Sequence, residues 1–214
     1  MKRNLIFIAI LFILGIVIFV AVENTQHDSI GLSYDVEKDA GRRPLELLNK
    51  LQQGHDLKPR EVNILTAYYI SSSKYDDGIT VLEGIAKKQN GYMTYYGLSA
   101  LYASKAKLKK YAKDDTLIKR AYNYLNKGFA AAPEKHLAYY SRGQTYAILG
   151  CFEMAIDDLR RAIEESRETK IIRLEEGISV DQQKFTAFIE KEIARLKNFR
   201  SDCLLKDIEN KKRT

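Results

Sequence analysis

The chain has 214 residues, 45% of them hydrophobic and 29% charged, with a formal net charge of +7 and a sequence pI near 9.2. That length holds one soluble domain and an appendage, and the apolar content is enough for a core. The positive balance favours acidic partners, anionic lipid headgroups or nucleic acid through long-range attraction only. Two cysteines, Cys151 and Cys203, exclude a disulfide framework, and without a C-x2-C or Cys/His cluster they exclude a zinc site. They form either a single disulfide in an oxidising compartment or two small buried hydrophobes.

Residues 5–22, LIFIAILFILGIVIFVAV, are uninterruptedly apolar. As a helix, about 18 residues rise roughly 27 Å, close to the ~30 Å of a bilayer's hydrocarbon core. The segment's roughly fifteen Leu, Ile, Val and Phe residues favour insertion by about 5 to 9 kcal/mol. A cleaved signal peptide has a shorter apolar region ending in small residues, which Phe19-Val20-Ala21 does not offer. The expectation is therefore a single transmembrane anchor at 1–22, with the bilayer as one partner. Lys2 and Arg3 precede the span, and Glu23 and Asp28 follow it. The positive-inside rule then predicts a single-pass protein of a bacterial inner membrane, its N-terminus cytoplasmic and the rest periplasmic. Residues 23–43 are polar, mixed in charge and aperiodic, and read as a tether. His27 and Asp28 have no neighbouring nucleophile there.

Helical order is predicted from Pro44, with Leu45, Leu48 and Leu51 on one face and Gly54 closing the helix. Pro59 opens the next helix, which carries Leu65 and Tyr69, and Tyr75, Gly78, Ile79, Leu82 and Ile85 stripe the helix after it. A second pair follows. Its first helix, over 91–104, sets Gly97 where two helices approach closely, and its second runs through Ala121, Leu125, Gly128 and Phe129 to Pro133. The insertion KAKLKKYAKDDTLIK separates them, and its Lys105, Lys107, Lys109, Lys110 and Lys113 predict a basic surface.

Residues 136–164 give the clearest hairpin. Tyr139, Gly143 and Tyr146 recur at four and three positions, Gly150 marks a turn, and Phe152, Ala155, Ile156, Leu159, Ala162 and Ile163 stripe the second helix. This succession of aromatic, glycine, tyrosine, alanine and leucine resembles a tetratricopeptide repeat, with Tyr139 for tryptophan, Arg142 for leucine and Arg167 for the terminal proline. The resemblance spans about 44–167. It implies an all-α solenoid of about three helix-turn-helix repeats, whose first helices line a peptide-binding groove. The groove positions would be Arg60, Asn63, Ala67 and Ile70, then Thr94, Leu98, Leu101 and Tyr102, then Leu137, Tyr140, Gln144 and Ile148. Few lysines or arginines stand there, which argues against a clamp for an acidic C-terminus.

Residues 168–214 are expected to form a capping element. Ser179 and Gln182 resemble a capping box opening a long helix, along which Phe185, Phe188, Ile189, Ile193, Leu196, Phe199, Cys203, Leu204 and Ile208 form an apolar stripe. No glycine-rich phosphate loop, G-x-S-x-G or H-E-x-x-H occurs, and His27, His55 and His136 lie in the tether and at loop ends. The expectation is a protein without catalytic residues, metal or cofactor, which binds protein partners and no nucleic acid, as a membrane-anchored scaffold or adaptor of the cell envelope. The alternative is a structural subunit of an envelope complex, assembled through the C-terminal helix and the basic insertion. Homo-oligomerisation is compatible with either.

Overall fold

A computed structural model describes residues 42–108, 115–175, 178–199 and 203–205. Eight helices lie among them: α1 (Arg42–Gln52), α2 (Pro59–Ser71), α3 (Tyr75–Lys88), α4 (Tyr92–Leu108), α5 (Asp115–Ala131), α6 (Lys135–Ile148), α7 (Phe152–Ser166) and α8 (Gln182–Leu196). Between α7 and α8, β1 (Ile171–Glu175) pairs antiparallel with β2 (Ile178–Asp181).

Helices α2 to α7 form three antiparallel hairpins in sequence order, and α4 packs on α2, α3, α5 and α6. The turns follow from local chemistry. After α6, Gly150 at φ +73° lets the Cys151 N–H reach the Tyr146 carbonyl and the Gly150 N–H reach that of Ala147. This 6→1 and 5→2 pair of bonds ends a helix on a left-handed residue. Small residues set the separation within each hairpin. A Cβ on Gly143 would lie 3.1 Å from the Ala155 carbonyl oxygen, and one on Gly78 would lie 2.7 Å from the Tyr69 Cβ. The continuous core, including Leu65, Leu82, Leu98, Leu101, Leu125, Leu149 and Leu159, has no exposed surface at these leucines.

Several expectations are corrected. No helix among the described residues is long and apolar enough to cross a membrane; the longest, α4 and α5, have 17 residues each. The expected anchor at 5–22 lies outside the described residues. The single-pass fold class and the inner-membrane and periplasmic location that rested on it are therefore set aside. The described residues are all-α as expected apart from one unexpected element, the antiparallel pair Ile171–Glu175 and Ile178–Asp181. Ser179 pairs within it, so the cap of α8 is Asp181, whose carboxylate accepts the Lys184 N–H at 2.8 Å. The expected long C-terminal helix stops at Leu196, after 15 residues. Beyond it Phe199 packs on Phe152, the Leu204 N–H donates to the Leu149 carbonyl oxygen at 3.1 Å, and Cys203 forms a disulfide with Cys151. The apolar periodicity continues past the helix because a strap lying on the α6–α7 turn also needs buried side chains at intervals; Leu205 is 1% exposed.

Candidate inner-face groove

The faces of α4 can be assigned from its contacts. Gly97 meets Thr66 of α2 and Leu82 of α3, and Leu101 lies against Gly78 of α3. On the opposite side the Ser99 hydroxyl donates to the Ala121 carbonyl oxygen of α5 at 2.7 Å, and Gly128 of α5 sits against the Tyr96 ring. The Tyr96 hydroxyl donates to the Ala138 carbonyl oxygen of α6 at 3.0 Å. One stripe remains, spaced seven and four residues apart: Met93, Ala100 and Ser104, each partly exposed. It runs between the sides taken by α2 and by α6.

The neighbouring helices leave matching stripes. On α2, Thr66 is turned to α4 and Tyr69 to α3, and Asn63 and Ala67 stay open, with Arg60 partly exposed in the first turn. On α6, Gly143 faces α7, Tyr140 faces α8, and Ser141, Gln144 and Ile148 are partly exposed. The resulting inner face has small side chains at its centre, two amides from Asn63 and Gln144, apolar side chains at Met93 and Ile148 and a cation at Arg60. Such a surface excludes little volume and offers directional hydrogen bonds.

The predicted groove residues therefore divide. Asn63 is exposed, and Arg60, Ala67, Gln144 and Ile148 are partly exposed. Thr94, Leu98, Leu101 and Tyr102 are at most 2% exposed, and Ile70 and Leu137 are 8% and 6% exposed, so these six belong to the core. The cause is register. Assigning Gly97 to the approach of α4 on α5 turns Leu98 and Leu101 inward in the expected groove, whereas Ser99 makes that approach and Gly97 serves the contact with α2 and α3. Sequence reasoning missed Met93, Ala100 and Ser104. Their available signal was the spacing of Ser99, Ala103 and Ala106, a second small-residue stripe that fits a helix seam as well as Gly97 does.

Tyr102 is held by the outer side of the array. Its hydroxyl donates to the Glu83 carboxylate at 2.8 Å and accepts from Arg120 at 2.9 Å, and its ring stacks on Tyr124 at 5.8 Å. Burial, reinforced by the bond to Glu83, raises the Tyr102 phenol above its ordinary pKa. Tyr95 also stacks on Tyr124 at 6.3 Å, and the Lys127 ammonium lies 5.4 Å from the Tyr124 ring centre. This cluster ties α3, α4 and α5 together. Tyr140 packs on Phe185 and Phe188 of α8, and burial raises its phenol too. Of the predicted basic surface, Lys105 pairs with Asp76 of α3 and Lys107 is partly exposed on α4. Lys109, Lys110 and Lys113 lie outside the described residues.

Arg142, the departure from the repeat pattern, is part of a buried ion pair. Its guanidinium grips Asp158 of α7 with two bonds, at 2.5 and 2.8 Å, and lies 4.0 Å from the Phe129 ring centre. Among the described residues no group of three or more His, Cys, Asp or Glu side chains is placed to hold a metal ion. No protein-family model, curated protein or solved structure matches the chain.

Proposed function

We propose that the chain is a protein-interaction scaffold of tetratricopeptide-like type, whose inner face binds an extended or helical segment of a partner protein. The observation that supports this reading is the partly exposed stripe across α2, α4 and α6, where Ala67, Ala100, Ser104 and Ser141 are small and Asn63 and Gln144 carry amides that can form hydrogen bonds. A repeat array that exposes small, uncharged residues along one face has no packing use for that face, whereas a bound segment would bury it. The role of a structural subunit assembled through the C-terminal helix has less support. Helix α8 directs Phe185, Ile189, Ile193 and Leu196 into its own chain and presents Gln183, Lys184, Glu190 and Lys191 outward.

The test is site-specific photo-crosslinking in cells. A photoreactive residue at Ala100 or Gln144 should give one discrete adduct that is lost when Asn63 and Ser104 are both replaced by arginine. The same residue at Lys127, on the outer side, should give none. An adduct formed equally from Lys127 would refute the inner-face reading.

A further inference from the structure

Helix α8 packs chiefly on α7, and where its Phe185 and Phe188 reach α6 they enclose an imidazole. His136 is 3% exposed, and its ring meets that of Phe185, also 3% exposed, edge-on at 6.0 Å. Phe185 packs in turn on Tyr140, which also touches Phe188. Nε2 of His136 has no hydrogen-bond partner among the described residues. A Glu134 carboxylate oxygen lies 3.2 Å from it. Burial disfavours a second proton on this ring, and this outweighs the pull of Glu134 and of Glu165 on α7. From α8 the neighbouring group is the uncharged Phe185 ring.

We propose that docking of the N-terminal half of α8 against α6 and α7 is gated by proton uptake at His136. With α8 docked, the imidazole is dry and stays neutral; with α8 lifted, water reaches it and the burial that disfavours a second proton is relieved, so its pKa returns toward the ordinary value of about 6.5. The lifted state thus binds more protons below that pH. Docking is at full strength above about pH 6.5, weakens as the pH falls through it, and levels off below the lowered value of the buried ring. Both ends of α8 are held, the near one by the β1–β2 pairing and the Gln182 N–H to Lys170 carbonyl bond at 3.2 Å, the far one by the Phe152–Phe199 contact, the Leu204 to Leu149 bond and the Cys151–Cys203 disulfide, so the motion is a local parting of the seam and not a release. Lifting bares Tyr140, Phe185 and Phe188 next to the inner face, a proton-controlled aromatic extension of it.

Hydrogen exchange of the full-length protein, corrected for intrinsic exchange rates, tests this. Protection of α8 should fall about tenfold per pH unit below about 6.5, with α1 as an unchanging reference. In His136→Gln the protection of α8 should not vary with pH. A wild-type α8 insensitive to pH, or the same fall in the variant, overturns the proposal. Should the variant fail to fold, NMR of the wild-type protein decides. The Phe185 and Phe188 ring signals should shift with the His136 titration midpoint, which should lie below about 6.5, and ring signals that do not follow that midpoint also overturn it.

Discussion

The α2–α3 and α6–α7 hairpins are built on one plan with different residues, and the differences show which features the plan requires. Both turns make the same two bonds: Lys74 N–H to Tyr69 carbonyl and Ser73 N–H to Ile70 carbonyl in the first, Cys151 to Tyr146 and Gly150 to Ala147 in the second. The left-handed position is Ser73 at φ +57° in one and Gly150 at φ +73° in the other. Close approach also switches sides. The first hairpin places its glycine, Gly78, on the second helix opposite Tyr69, and the second places Gly143 on the first helix opposite Ala155. Where the first hairpin buries Leu65 and half-buries Val81, the corresponding positions of the second hold the Arg142–Asp158 pair. Only the second is stapled to the C-terminal strap. Helix spacing and turn geometry are thus obligatory, while the chemistry at the seam is interchangeable.

The staple should give the largest difference. Cys203→Ser frees a loop closed across a sequence separation of 52 and should cost about 4 kcal/mol, read as a lower urea midpoint, with exchange protection lost in α8 before α2. Next is the ion pair. Asp158→Ala leaves the Arg142 cation partly buried without its partner and should cost about 3 kcal/mol, whereas Arg142→Leu with Asp158→Val, copying the first hairpin, should lie within about 1 kcal/mol of wild type or be more stable. A double variant as damaged as the single one would show that the second hairpin needs the charges. Gly78→Ala, which brings a Cβ against Tyr69, should cost about 2 kcal/mol by thermal unfolding. The smallest effect has the opposite sign: Ser73→Gly should stabilise by about 1 kcal/mol, because glycine enters the left-handed region without a Cβ penalty.

Features governed by neighbours in the chain were readable beforehand. Pro59 begins α2, Gly54 and Gly150 end helices, and Tyr69 with Gly78 and Gly143 with Ala155 sit at their hairpin seams as expected. The exposure of Asn63 and the partial exposure of Ala67, Gln144 and Ile148 fit the same periodicity. The middle of the inner face could not be read in this way, because α4 carries two small-residue stripes, through Gly97 and through Ser99. The choice between them is made by Thr66, Leu82 and Ala121 on three other helices. The β-hairpin at 171–181 was also missed, since its few pairings depend on the support of α8 as much as on their own residues.

By itself the amino-acid sequence determined the amphipathic helices of the array and their turns, since periodicity, glycine and proline act over a few residues. Only the tertiary structure decided that α8 ends at Leu196 and that the strap returns to the α6–α7 turn, where Cys203 meets Cys151. It likewise decided that Leu98 and Leu101 are core while Ala100 and Ser104 are surface. Those outcomes depend on which of several apolar faces finds a partner, and that is settled by competition between helices far apart in the chain.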